Sequence, residues 1–110
     1  MKASVSVVIP AHNEETVVAA GLDALLAGTA PGEFDVVVVA NACSDRTAAV
    51  AARAGVRVLE TPVPGKVNAL RLGDAACRVF PRVYLDADVR LDAASVRALA
   101  EAAGRPGVLA

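Results

Sequence analysis

Aromatic residues make up only 3% of this 110-residue sequence: one tyrosine, two phenylalanines and no tryptophan. Stacking platforms for the bases of a single-stranded nucleic acid are therefore nearly absent. An excess of one charge sign is missing too, with eleven Lys and Arg against twelve Asp and Glu and a net charge of -1. The basic residues are scattered along the chain, which argues against a nucleic-acid backbone as partner. Lysine itself is scarce, and Lys2 and Lys66 are its two occurrences, so Lys66 stands out. Cys43 and Cys77 are too few for a secreted disulfide framework and read as reduced thiols of a cytoplasmic protein. Met1-Lys2-Ala3-Ser4 leads straight into an apolar strand without the layout of a signal peptide. No apolar run approaches the roughly 20 residues of a membrane span, so any membrane association would come through segments beyond residue 110.

What is abundant is apolar. Hydrophobic residues reach 55%, with a mean hydropathy of +0.51. A core this small leaves some of that surface uncovered. The two readings are a homo-oligomer interface or a missing piece of the same domain. The second is preferred, because Gly107-Val108-Leu109-Ala110 reads as a strand just starting.

The apolar pattern alternates between two periods. Val5–Ile9 is a β-branched run closed by Pro10, and residues 15–27 repeat at helical spacing up to Gly28. A second apolar run spans Phe34–Val39. Ser44 or Asp45 is placed to cap a helix through Ala54, and Val56–Leu59 reads as a short edge strand. A helix is predicted over 66–78, with Val67, Leu70 and Cys77 on one side. Arg82–Leu85 forms the fourth strand, and Asp92 caps a last helix through Ala103. Apolar strands alternating with helices predict an α/β fold: a doubly wound, mostly parallel sheet with helices on both faces.

In such a sheet ligands bind at the carboxyl ends of the strands. Those ends are followed by Pro10-Ala11-His12-Asn13-Glu14-Glu15, Ala40-Asn41-Ala42-Cys43-Ser44-Asp45, Gly65-Lys66-Val67-Asn68 and Asp86-Ala87-Asp88. Asp86 and Asp88, two apart in an extended segment, would point the same way and share a divalent cation, Mg²⁺ or Mn²⁺, that also holds substrate phosphates. Neither the Gly-x-Gly-x-x-Gly turn of dinucleotide enzymes nor a P-loop is present. A bound nucleotide would have to be neutralised by the metal and Lys66, which points to a nucleoside-diphosphate leaving group. Asn13-Glu14-Glu15 also reads as a helix start, Asp45 as a cap rather than a ligand, and Lys66 as either solvated or phosphate-binding. Cys43 has no base at a defined spacing and reads as an inert loop thiol.

Taken in order, Val7–Glu15, Val36–Thr47, Gly65–Gly73 and Tyr84–Asp88 resemble four motifs of the family 2 glycosyltransferases: the opening strand and loop, Asp-Gly-Ser-x-Asp-x-Thr, Gly-Lys-x-x-Ala-Leu-Asn-x-Gly, and the metal motif. The resemblance covers nearly the whole chain and implies a Rossmann-like GT-A fold. It also implies that residues 1–110 are the N-terminal nucleotide-binding part, with the acceptor-binding half absent. The implied partner is a UDP- or GDP-sugar. Pro10, His12 and Glu14 would line the nucleoside pocket, with His12 against the base. Asn41 would face the base edge, Asp86 the ribose or metal, and Asp88 the metal, with Ala87 and Lys66 beside the donor. The implied reaction is an inverting sugar transfer whose general base lies beyond residue 110. Two departures stand out. Ala40-Asn41 replaces two frequent aspartates and so weakens the inference of uridine, and Arg71 replaces an asparagine. The competing readings are a non-catalytic nucleotide-binding domain and a metal-dependent nucleotidyltransferase or phosphohydrolase.

Overall fold

The computed structural model describes residues 3–103. Its elements alternate strictly: β1 (Val5–Ala11), α1 (Val18–Leu26), β2 (Phe34–Asn41), α2 (Thr47–Ala52), β3 (Arg57–Thr61), α3 (Lys66–Ala76), β4 (Arg82–Tyr84) and α4 (Ala93–Ala103). The strands form one parallel sheet in the order β3-β2-β1-β4. The predicted strand after α4, at 107–110, lies outside the described residues.

Strand alternation sorts the core into two layers. Val5, Val7, Ile9 and Ala11 of β1 join Phe34, Val36 and Val38 of β2 under α1, α2 and α4, through Val18, Leu22, Leu25, Ala51, Ala93, Val96 and Ala100. Among the described residues the opposite face carries α3 alone, where Ala69 packs on Val37 and Val39. The sheet is thus covered on both sides, and each fully buried Val or Leu contributes roughly 1.5–3 kcal/mol. β1→β2 and β2→β3 step one way with their helices on one face. β3→β4 steps back across β1 with α3 on the other, so a single crossover hand is kept. The winding reverses between β1 and β4, the position at which an open α/β sheet offers its crevice.

Several boundaries differ from the sequence reading, each for a local reason. β1 does not end before Pro10 but continues to Ala11. Even-numbered residues of β1 address β4, since Ser6 N–H donates to Pro81 O (3.0 Å) and Val8 O accepts from Leu85 N–H (2.9 Å). Pro10 continues that series without an N–H to give, so it sits where the β4 ladder has already stopped at Val8↔Tyr84. The β2 ladder runs on to Ala11↔Ala40. β1 and β4 therefore part at their carboxyl ends, and the crevice opens there.

α1 starts at Val18, not Glu15, after a turn in which Val17 and Val18 N–H both donate to Glu14 O. Helix α2 is short, and β4 has three residues. On α3 the predicted apolar face is wrong: Val67 is 73% exposed, and the buried residues are Ala69 and Gly73. Small residues let α3 lie close on the sheet, where no larger side chain fits. Asp92 does cap α4, its Oδ1 accepting from Ser95 N–H at 2.7 Å.

Candidate functional site

The loops after β1 and β2 hold each other through reciprocal hydrogen bonds. Glu14 N–H donates to Thr47 Oγ1 (2.9 Å) and Glu15 N–H to Asp45 Oδ2 (3.2 Å), while Arg46 N–H donates back to Glu15 Oε2 (3.1 Å). Ser44 N–H donates to Asn13 Oδ1 at 2.8 Å. Asp45 Oδ1 also accepts from the N–H and the hydroxyl of Thr47. That hydroxyl bond is the main reason the Asp45 carboxyl lies below its ordinary range. Asp45 is a clamp between the loops and not the predicted helix cap: the residue before α2 is Arg46, which makes no side-chain cap bond. Thr47, fully buried, was not singled out by the sequence, although the Asp45-x-Thr47 spacing is the signal of a side chain bonding the backbone two residues on. Asn13 (φ 51°) and Ala42 (φ 49°) take left-handed conformations in these loops. Asn tolerates that region, whereas Ala42 stands where the resembling motif has glycine.

The clamped loops form one wall of a cleft of about 340 Å³. It is lined by Pro10, His12, Glu14 and Asn41, by Pro64, Gly65 and Lys66 before and at the start of α3, and by Asp86, Ala87 and Asp88 after β4. The residues that the resemblance gives to the nucleotide and metal site thus line one cleft, joined by Gly65 and by Pro64, which the sequence does not single out. His12 Nδ1 lies 2.8 Å from the Asn41 carbonyl, an acceptor only, so Nδ1 carries the proton. In the neutral ring Nε2 is then an acceptor. Asn41 is 5% exposed and donates an amide hydrogen to Ala11 O at 3.0 Å, which ties the ends of β1 and β2 and leaves the rest of its amide for a ligand.

Asp86-Ala87-Asp88 is not extended. Val89 N–H closes a turn onto Asp86 O at 3.0 Å. Ala87, 6% exposed, anchors that turn, its carbonyl oxygen only 3.2 Å from where a Cβ on Gly21 of α1 would stand. Both carboxylates are left exposed at the cleft. Across the cleft Gly65 (φ 115°) precedes α3 and provides no side chain to cap its first N–H groups. Lys66, the first residue of α3, reaches across to Asp86, Nζ to Oδ1 2.5 Å. A helix start with a lysine attracts anions, and paired carboxylates attract cations. The cleft therefore has one wall for each.

Residues 6–110 match the glycosyl transferase family 2 pattern, which is nearly the whole chain. The chain belongs to glycosyl transferase family 2. An uncharacterized glycosyltransferase of Mycobacterium tuberculosis strain H37Rv is 39% identical over 90 residues, 82% of this chain. A counterpart in Mycobacterium bovis matches equally well. The chain spans 39% of the length of these relatives. Among solved structures, glucosyl-3-phosphoglycerate synthase from M. tuberculosis, in complex with Mn²⁺, UDP and phosphoglyceric acid, superposes with a TM-score of 0.79 at 28% identity. That match covers 96% of this chain and 41% of the synthase. S. aureus TarS 1-349, in complex with UDP-GlcNAc, has a TM-score of 0.76 at 22% identity and shares the fold.

Within this family 2 domain the donor set fits a hard divalent ion. Asp86 and Asp88 present exposed carboxylates on one turn, and no group of three His, Cys, Asp or Glu residues converges among the described residues. An ion held by one or two carboxylates and completed by water and phosphate oxygens needs no more than that. Cys43 makes loop contacts, its thiol against Ala11 O and Asn41 O and within 3.4 Å of Asn13 N. No helix among the described residues is long and apolar enough to cross a membrane.

Proposed function

We propose that residues 1–110 supply the donor and metal site of a glycosyltransferase that transfers a sugar from a nucleoside-diphosphate sugar to an acceptor, with inversion. The observation that carries this reading is the cleft with two opposed walls: Lys66 and the uncapped start of α3 on one, Asp86 and Asp88 on the other. A diphosphate suits the first wall and is repelled by the second unless a cation stands between. Asp88 and Asp86 would hold that cation, Mn²⁺ or Mg²⁺, which when bound offsets the charge that builds on the diphosphate as the sugar bond breaks. Lys66 and the α3 N–H groups bind phosphate oxygens. His12 Nε2, Asn41, Pro10 and Glu14 bound the nucleoside. The UDP complex of the synthase supports uridine; GDP remains the alternative because Ala40-Asn41 lacks the acidic contact to the base. The general base and the acceptor pocket belong to the chain beyond residue 110, so residues 1–110 bind donor without turnover.

Calorimetric titration of the chain with UDP, GDP and their sugars, with and without Mn²⁺, tests this. Binding that requires the metal and disappears in Asp88→Ala is the expected result. Metal-independent binding of equal strength in Asp88→Ala would instead indicate a non-catalytic nucleotide-binding domain.

A further inference from the structure

The pairing of Lys66 with Asp86 has a consequence for the order in which ligands bind. Lys66 Nζ stands 2.5 Å from Asp86 Oδ1, and both side chains remain more than half exposed, at 60% and 51%. Glu14 also lines the cleft, but among the described residues no three His, Cys, Asp or Glu side chains come together to complete a metal site. A divalent ion approaching Asp86 therefore meets a positive charge already seated on one of its two carboxylates. A diphosphate offers Lys66 another partner, on the same wall as the uncapped α3 N–H groups.

We infer that Lys66 is a tethered competitor of the divalent ion at Asp86, so that metal alone binds weakly and a nucleoside diphosphate, by drawing Lys66 away, strengthens it. This rests on the donor-site reading above and adds a coupling to it. Two ligands that free each other's partner bind cooperatively, and the coupling is reciprocal: diphosphate tightens the metal by the factor that metal tightens diphosphate. Because the ion pair is exposed, its competition is modest. Its loss is expected to tighten the binding of metal alone by about two- to fivefold.

The experiment measures Mn²⁺ affinity of the 110-residue chain, by the electron paramagnetic resonance of free Mn²⁺, without and with saturating UDP. It compares the unmodified chain with Lys66→Met, Lys66→Arg and Arg71→Met. Lys66→Met is expected to bind Mn²⁺ alone more tightly and to gain less from UDP. Lys66→Arg keeps a cation beside Asp86 and should not show that tightening of Mn²⁺ alone. Arg71→Met removes a charge from the exposed face of the same helix and should leave Mn²⁺ affinity unchanged. Equal tightening in Lys66→Met and Arg71→Met would reduce the effect to net charge and overturn the inference. Unchanged Mn²⁺ affinity in Lys66→Met, with UDP binding still metal-dependent, would overturn the competition and leave the donor site standing. Absence of any Mn²⁺-dependent UDP or GDP binding in the unmodified chain would instead remove the donor-site reading and the inference with it.

Discussion

Replacing Gly73 by alanine adds a single methyl group where the fold has no room for one. A Cβ on Gly73 would fall well inside van der Waals contact with Val8 Cγ1 and 3.1 Å from Val39 Cγ2. Both valines are fully buried and, being β-branched, cannot turn aside within the sheet. Helix α3 must therefore lift, which also loosens Ala69 from Val37 and Val39. Overpacking of this kind costs about 1–3 kcal/mol. Alanine's helix propensity returns about 1 kcal/mol, so the net loss is about 0–2 kcal/mol, towards the upper end because two rigid valines obstruct the methyl. Urea unfolding followed by circular dichroism, suited to a chain without tryptophan, should show a lower midpoint at unchanged slope. Val8→Ala alone should cost about 2 kcal/mol. Combined with Gly73→Ala, it should cost about 1 kcal/mol less than the sum, because the obstructing methyl is gone. A Gly73→Ala chain more stable than the unmodified one, or strict additivity of the pair, would refute the overpacking.

Thr47→Val keeps the shape but removes the hydroxyl that receives the Glu14 N–H, so thermal unfolding should show a loss of about 1–3 kcal/mol. Ala42→Gly relieves a left-handed alanine, a strain of about 1–2 kcal/mol against roughly 0.5–1 kcal/mol of added chain entropy. A neutral or slightly higher unfolding midpoint is expected, and a clear fall would contradict the account. Tyr84 is the chain's single tyrosine, and its bond to Asp74 Oδ1 (2.7 Å), aided by burial, holds the phenol above its ordinary 10.0. Phenolate absorbance should titrate above that value and return towards it in Asp74→Asn. Stability linked to Tyr84 is then complete below its unfolded value and lost as pH rises through the folded one. Asp45 and Asp74 run the opposite way. The Thr47 hydroxyl and the Tyr84 hydroxyl, respectively, are the chief causes that hold them below their ordinary 3.8. Their contribution is complete above that value and lost as pH falls through the depressed folded values, so melting temperatures should drop below about pH 4, and less so in Asp74→Asn.

The site was legible to the extent that its chemistry sits directly after strands. Once Val7–Ile9, Val36–Val39 and Val83–Leu85 are recognised as strands, the parallel sheet carries His12, Asn41 and Asp86 to one rim. The clamp between the first two loops was less legible, because Thr47 and Asn13 act on backbone groups about thirty residues away in the chain. The buried face of α3 was misread for a related reason. Periodicity favours large apolar residues, whereas the sheet admits only Ala69 and Gly73 there.

The sequence by itself determined the alternation of elements, the parallel sheet and which polar side chains follow the strands, since hydrophobic period and turn chemistry are local properties. Only the tertiary structure decided that Pro10 stands where the β4 ladder ends, that Ala87 is held beneath two exposed carboxylates, and that Lys66 faces Asp86. These depend on which strand lies beside which and on how closely the helices approach the sheet. Both are fixed by packing between segments distant in the chain, which no local pattern encodes.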